Sequence, residues 1–279
     1  MGWKITPSLG TIRNHFSPPD SLAEKFLSRL LPWLVPVLLI VTWQICADAK
    51  VINTRLVSSP LAVLSSLARL TIDGTLWRNI KVSCFRSGAG FFIGGSVGLV
   101  LGFLTATFKP LEILFDSSLQ MFRTIPHLAL APLVIIWFGI GEEAKIFLIF
   151  CGVMFPIYLN TFHGIRSVDR QLINMARVYG LKRFGLWRQV IFPGALPSIL
   201  VGVRFSLGIM WTTLIVAETI AASSGIGYMA TNARELMQTD VMILSILVYA
   251  FLGKLADILA RKLEQVTLSW KPEYVKAVL

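Results

Sequence analysis

The sequence predicts an all-α, polytopic membrane protein of about six transmembrane helices. Hydrophobic residues make up 55% of the 279-residue chain, which is more than a soluble domain of this length needs. The apolar residues are gathered in charge-free runs, and about 17–25 such residues cross a bilayer as a helix. The basic residues, which give a formal net charge of +11, lie mainly between these runs. That distribution is typical of membrane proteins with basic cytoplasmic loops and argues against nucleic-acid binding.

Six runs have the character expected of membrane-spanning helices. The fifth is interrupted by Arg204, and the sixth must include Lys254 and Asp257 to reach spanning length. The runs are residues 30–47, 87–108, 124–141, 146–165, 198–217 and 241–253. We therefore expect a tail at residues 1–29, a transmembrane domain at 30–265 and a second tail at 266–279.

The first run also resembles a cleavable signal peptide. A basic leader precedes it, and Ala47-Asp48-Ala49 has the small-x-small pattern of a cleavage site. However, the run begins 29 residues into the chain and is longer than a usual signal core. We interpret it as a membrane span, with cleavage as the alternative.

The distribution of Lys and Arg predicts the orientation. If both termini are cytoplasmic, the inner segments hold 17 basic residues and the outer segments hold eight. The connection at residues 166–196 is then cytoplasmic. The outer loop at residues 48–86 is the exception, with six basic residues. Within that loop, residues 61–76 are expected to form an amphipathic helix at the membrane surface.

The second run contains glycines at regular four-residue spacing. Gly90, Gly94, Gly98 and Gly102 would share one helix face, where they allow another helix to approach closely. The neighbour is either a helix of the same subunit or a helix of a second copy.

The connection at residues 166–196 has the pattern of two short helices. Ser167 or Asp169 can cap the first helix, which runs to about Tyr179, and Gly180 provides its C-terminal stop. The second helix is predicted from Lys182 to Ile191, with Pro193 ending it. Its apolar face and exposed basic residues suit either docking on a partner protein or contact with lipid headgroups.

Residues 174–197, NMARVYGLKRFGLWRQVIFPGALP, resemble the EAA motif of ABC-importer permeases. In that motif, Glu-Ala-Ala is followed by a glycine and later by Ile-x-Leu-Pro. The corresponding residues here are Asn174, Met175, Ala176, Gly180, Val190, Phe192 and Pro193. The family glutamate, which typically faces the ATPase subunit, is replaced by asparagine.

The resemblance extends from about residue 32 to residue 263, including residues 122–147, 155–181, 193–240 and 249–264. The sequence most resembles the permeases of aliphatic sulfonate importers, and next those of taurine, nitrate and bicarbonate importers. This resemblance implies a type I importer bundle in the bacterial inner membrane. The implied partners are an ABC ATPase subunit, an extracytoplasmic solute-binding protein and a second copy of the chain. ATP and Mg²⁺ would be bound by the ATPase subunit, and this chain would bind no cofactor.

Enzyme motifs are absent from the sequence. It contains no G-x-x-x-x-G-K-[ST] phosphate-binding loop, no HExxH and no G-x-S-x-G. Its three cysteines form no CxxC or Cys/His cluster, so no metal site is expected. The alternatives to an ABC permease are a gradient-driven transporter, which paired intramembrane carboxylates would favour, and an integral membrane enzyme.

A few polar residues are candidates for a translocation path. Arg204 either reaches the cytoplasmic headgroups or provides a positive point on an anion route. Glu218 is 14 residues further along and, at about 1.5 Å per residue, too distant to pair with Arg204 within one helix. Thr212 and Thr213 are polar residues between them, and His127 either faces the path or has a structural role. After Glu218, residues 226–237 are expected to form a short outer helix that meets a binding protein or covers the bundle.

Overall fold

The computed structural model describes residues 22–53 and 56–270. Residues 1–21 and 271–279, which hold most of the two predicted tails, lie outside the described residues. The chain divides into two compact units, Met1–Thr54 and Arg55–Leu279. In the first unit, helix α1 (Leu22–Asp48) contains the first predicted span, and its described apolar part is Leu34–Asp48.

In the described residues of the second unit, the regular elements are helices joined by short connections, and none is a strand, which confirms the predicted fold class. Its helices are α2 (Pro60–Ile72), α3 (Thr75–Thr107), α4 (Lys109–Thr124), α5 (Ala131–Phe138), α6 (Glu142–Arg166), α7 (Arg170–Val178), α8 (Arg183–Leu186), α9 (Phe192–Ala221), α10 (Ile226–Glu235) and α11 (Thr239–Thr267). A 3-10 turn (His127–Leu130) precedes α5, and a π-helical segment (Trp187–Ile191) joins α8 to α9.

Four helical segments of the described chain are long and apolar enough to cross a membrane: Thr75–Thr107, Glu142–Arg166, Arg183–Ile220 and Thr239–Thr267. They contain the second, fourth, fifth and sixth predicted runs. Helix α3 starts 12 residues before the second apolar run. Residues 75–86 are therefore helical and do not form part of the predicted outer loop. The surface helix expected at residues 61–76 is α2, which ends at Ile72 because Gly74, at φ +77°, turns the chain into α3.

The third predicted run does not form one continuous helix. Helix α4 ends at Thr124, and Ile125 is extended with ψ 120°. The next residue, Pro126, explains the break, because a proline disfavours the helical conformation of the residue before it and donates no backbone hydrogen bond. The 3-10 turn and α5 then complete the segment.

The four regularly spaced glycines of α3 lie against α6 of the same chain. A Cβ on Gly94 would lie 2.8 Å from the carbonyl oxygen of Phe150, and one on Gly98 would lie 2.5 Å from that of Met154. The backbones therefore approach more closely than any larger residue allows. At the two ends of the row, Gly90 meets Ile149 and Gly102 meets Thr161.

Pro193 does not end the second short helix, contrary to the sequence-based prediction. It lies in the first turn of α9, and the helix continues without interruption from Arg183 to Ile220. The reason is the π-helical segment before it, in which the Phe192 N–H donates to the Trp187 carbonyl oxygen. The wider π turn accommodates a proline that would disrupt a regular α-helix at this point.

The main core joins α3, α6, α9, α10 and α11. Ile149, Val153, Leu214 and Ile226 are buried at its centre, with Tyr249 of α11 at its edge. This packing defines two ends of the bundle. Near one end, α3 and α6 begin and α9 finishes; α7 and α8 lie at the other end, between α6 and α9.

Candidate functional site

A cavity of about 730 Å³ lies along α9 and is the best candidate for a translocation path. Residues predicted from the sequence, His127, Arg204 and Thr212, line it together with residues of α11. The cavity is partly polar, because Asp257 and Glu264 of α11 lie close to Arg204.

Arg204 is paired with acidic side chains of α11. Its Nε donates to Asp257 Oδ1 at 3.0 Å, and its Nη1 lies 3.8 Å from Glu264 Oε2. Asp257 also has two cations of its own helix, Arg261 at 3.0 Å and Lys254 at 3.9 Å. The arginine is therefore neither fully buried nor isolated: 41% of its side chain is exposed. Sequence reasoning did not identify Asp257 as its partner, since the two residues are 53 positions apart.

His127 and Thr213 are brought together by the structure. The His127 Nε2 atom and the Thr213 hydroxyl are 2.9 Å apart. Thr213 is fully buried, whereas Thr212 is exposed and donates to the carbonyl oxygen of Gly208 in its own helix. Of the two threonines, Thr212 therefore faces the cavity and Thr213 fixes the histidine ring.

A second cavity, of about 790 Å³, lies on the other side of His127. Its lining is almost entirely apolar, and it shares His127, Phe205 and Ile209 with the first cavity. Trp137 of α5 and Phe147 of α6 are among its walls. His127, in the broken third segment, therefore borders both a partly charged space and an apolar one.

Glu218 does not line either cavity. It is buried at the end of α9, where Oε1 accepts from Arg86 Nη1 at 2.8 Å and Oε2 accepts from Tyr249 at 2.8 Å. The Ser83 hydroxyl lies 2.7 Å from Oε1, and the Gly227 N–H donates to Oε2 at 2.8 Å. The carboxylate thus connects α3, α9, α10 and α11.

Arg86 is the residue that sequence reasoning missed. It was assigned to the outer loop, yet its side chain is fully buried in α3 and contacts two carboxylates, Glu218 and Glu142. A signal was present in the sequence: Arg86, Glu142 and Glu218 each flank a charge-free run, at run ends predicted to lie on the same side.

The connection at residues 166–196, which the resemblance to the EAA motif predicts to be the loop that couples to the ATPase (the coupling loop), has mostly exposed side chains. Asp169 caps α7 by accepting from the Gln171 N–H at 2.8 Å, and Gly180 ends it at φ +82°. Asn174 and Met175 are exposed, whereas Ala176 is buried in a small apolar cluster. Val190 and Pro193 are partly buried and Phe192 is exposed.

A shallow cavity of about 300 Å³ lies between α7 and the start of α9. Met175, Val190 and Pro193 contribute to it, as do Leu172 and Trp270. Four further apolar side chains of residues 166–196 are exposed, and we call the exposed apolar residues of this segment its apolar surface: Val178, Tyr179, Phe184 and Phe192. The segment also exposes basic side chains, among them Arg177, Lys182, Arg183 and Arg188. Such a surface suits protein docking.

In the described part of the chain, no group of three or more His, Cys, Asp or Glu residues is placed to hold a metal ion. The fold and the candidate site instead define a membrane-embedded transport subunit. It has a bundle of long apolar helices, cavities beside one of them and an exposed basic loop at one end.

The sequence profile of the family described as "Binding-protein-dependent transport system inner membrane component" matches residues 98–267. The chain belongs to this family. It is a multi-pass permease subunit of an ATP-binding-cassette transporter, and a separate subunit hydrolyses ATP.

Several relatives share most of their length with the chain. SsuC of Escherichia coli (strain K12), named as a permease protein for aliphatic sulfonates transport, is 53% identical over 251 residues, covering 90% of this chain and 95% of that protein. The protein of the same name from Bacillus subtilis (strain 168) is 42% identical, with 86% and 87% covered. The taurine transport system permease protein TauC of E. coli is 33% identical, with 90% and 97% covered.

Solved structures support the fold. An inward-facing form of the MetNI methionine ABC transporter has a TM-score of 0.60 at 19% identity, covering 69% of this chain and 96% of that chain. An amino acid ABC transporter with histidines also gives 0.60, at 18% identity, with 71% and 97% covered.

Proposed function

We propose that this chain is the transmembrane subunit of an ABC importer for aliphatic sulfonates. The observation that carries the proposal is the 53% identity to the E. coli sulfonate permease. The B. subtilis sulfonate permease, at 42%, is also more similar than the taurine permease, at 33%.

The chemistry of the cavities supports this substrate class. An aliphatic sulfonate has an anionic head and an apolar tail. Arg204 provides a cation in the first cavity, and the second cavity provides apolar walls beyond His127. Arg204, His127 and Thr212 would contact the substrate during passage, whereas Thr213 would orient the His127 ring.

We propose further that both termini are cytoplasmic and that the bundle lies in the bacterial inner membrane. The excess of basic residues in the inner segments supports this orientation. Arg177 and Lys182 would then face the cytoplasm, and Tyr228 of α10 the outside. Labelling of single cysteines at positions 182 and 228 in a cysteine-free chain tests it. Reaction of position 182 with an impermeant reagent in intact cells would contradict the orientation.

The coupling loop would bind the ATPase subunit. Its apolar surface around Met175, Val190 and Phe192 would enter a groove of that subunit, and the basic side chains would surround the contact. At the outer end, a solute-binding protein would deliver the anion. A second copy of the chain would complete the path, and closure of the ATPase pair would switch it between inward and outward states.

Growth of a deletion strain on ethanesulfonate as sole sulfur source tests the substrate. We expect growth on ethanesulfonate to require this chain and growth on sulfate not to require it. A second candidate is taurine, which the likeness to TauC supports. Loss of growth on taurine with normal growth on ethanesulfonate would favour that candidate and contradict the first.

A further inference from the structure

The buried Arg86 guanidinium holds two different parts of the bundle at once. Its Nε and Nη2 donate to the two carboxylate oxygens of Glu142, at 2.5 and 2.6 Å. Its Nη1 donates to Glu218 and to the carbonyl oxygen of Ser224, at 2.8 and 2.6 Å. Glu142 begins α6, and Ser224 lies between α9 and α10. One side chain thus connects the corner between α5 and α6 with the start of α10.

The two sides of this arrangement differ in burial. The side chain of Glu218 is fully buried, whereas that of Glu142 is 51% exposed. Breaking the first pair would leave a charge without a partner in a dry interior, which is strongly unfavourable. Breaking the second pair would leave the Glu142 carboxylate half in contact with water and still paired with Lys145, so its charge would stay compensated.

The charges also balance separately on each side. Lys145, which is nearly buried, lies 3.3 Å from Glu142 Oε1. If Arg86 and Glu142 separate, Arg86 keeps Glu218 and Glu142 keeps Lys145. Each half remains a neutral pair, so the separation leaves no uncompensated buried charge.

The contacts between α3 and α6 change in kind near the Arg86–Glu142 pair. The close contacts of the glycine row begin at Gly90, which lies against Ile149. Arg86 is one turn from Gly90 in α3, and Glu142 is about two turns from Ile149 in α6, and here the ion pair joins the two helices. The adjoining corner is exposed at Trp137 and Ile140, and Gly139 turns it at φ +74°.

We propose that the Arg86–Glu142 pair is a separable latch on the corner between α5 and α6, and that the Arg86–Glu218 pair is a permanent anchor for α10. Opening of the latch moves the end of α5 that carries Trp137, which is a wall of the second cavity. The anchor keeps α10 in place during this movement. Three N–H groups at the start of α10 are held by side chains of α3 and α9: Gly225 by Asn79, Ile226 by Ser83 and Gly227 by Glu218.

Hydrogen exchange measured on the assembled transport complex in lipid nanodiscs tests the proposal. We expect Glu142→Gln to raise the exchange rate of the hydrogen-bonded amides at this corner, residue 139 and residues 146–148, about tenfold, which corresponds to about 1.4 kcal/mol. The rates of amides 225–227 should not change. Glu143→Gln is the matched control, because Glu143 is exposed and adjacent to Glu142, yet Arg86 bonds Glu142 and not Glu143. Acceleration of both segments by Glu142→Gln, or of neither, would overturn the latch.

Lys145→Met provides a test of opposite sign. Without Lys145, an open latch leaves Glu142 without a cation, so opening becomes less favourable, and amides 139 and 146–148 should exchange more slowly than in the wild type. A purely structural role of the cluster predicts faster exchange instead, and that result would overturn the proposal. Glu218→Gln should accelerate amides 225–227; if it leaves them unchanged, Glu218 does not anchor α10.

Discussion

Arg204 of α9 and Asp257 of α11 form an ion pair, with 3.0 Å between Nε and Oδ1, beside the first cavity. Asp257 is also paired with Arg261 at 3.0 Å. The carboxylate therefore keeps a cation when Arg204 turns towards another anion. This relationship allows an anionic substrate to compete for Arg204 without leaving Asp257 unpaired.

Replacing Arg204 by Gln should reduce transport while leaving the permease in the membrane. The change removes the cation from the cavity, and charge-assisted hydrogen bonds contribute about 1.5–3 kcal/mol, so we expect a loss of about tenfold or more. The measurement is uptake of radiolabelled ethanesulfonate at matched expression. Lys262→Gln is the control, because Lys262 is an exposed cation of the same helix as Asp257 and does not line the cavity. Equal losses for the two variants would show that the cavity cation has no specific role in transport.

A second prediction concerns the glycine row. Gly98→Ala should destabilise the subunit by about 1–3 kcal/mol, because the new methyl group would meet the Met154 carbonyl oxygen and the helices would have to separate. Gly88→Ala, on the same helix, is the control: a Cβ there has no neighbour within 4 Å. Thermal unfolding in detergent measures both. A melting temperature lowered equally by the two variants would argue against the close contact as the cause.

The periodic features of this fold could be predicted from the sequence, and the long-range contacts could not. Charge-free runs identify α3, α6, α9 and α11 because a bilayer demands length and apolarity. Length and apolarity do not show that the chain breaks at Pro126 but continues as a helix through Pro193. Both are prolines near apolar residues, and only the π-helical segment before Pro193 distinguishes them.

The same limit applies to the candidate site. Gly180 was identified because a left-handed turn restricts the residue type locally. Arg86 was misplaced because its partners lie 56 and 132 positions away. A charged residue beside an apolar run indicates where a helix ends. It does not indicate which other helix ends contact that end in the folded bundle.

Gly180 allows a third prediction. It ends α7 with two hydrogen bonds, Leu181 N–H to the Ala176 carbonyl oxygen at 3.0 Å and Gly180 N–H to that of Arg177 at 2.9 Å. At φ +82°, valine is strained and asparagine is tolerated, while the space around the position is open to either side chain. We expect Gly180→Val to abolish coupled transport and Gly180→Asn to retain most of it. Substrate-stimulated ATP hydrolysis by the reconstituted complex provides the measurement, and equal activity of the two variants would show that the turn is not required for coupling.

The last prediction concerns Asn174, at the position where the resemblance to the EAA motif implies a glutamate. The residue is exposed on α7, about half a turn before the buried Ala176, so a partner can reach it. A carboxylate placed against a surface adapted to asparagine loses its hydration without gaining a cation. We therefore expect Asn174→Glu to weaken binding of the cognate ATPase subunit, by a few kcal/mol at most.

Pull-down of the ATPase subunit at matched expression, with uptake measured in parallel, provides the test. Gln171→Glu is the control, since it adds the same charge at an exposed position one turn earlier on α7. Stronger binding by Asn174→Glu would mean that the partner still presents a cation to this position. Unchanged binding and uptake would place residue 174 in solvent within the complex, and the ATPase would then contact the apolar surface formed by Met175, Val190 and Phe192 without reaching this side of α7.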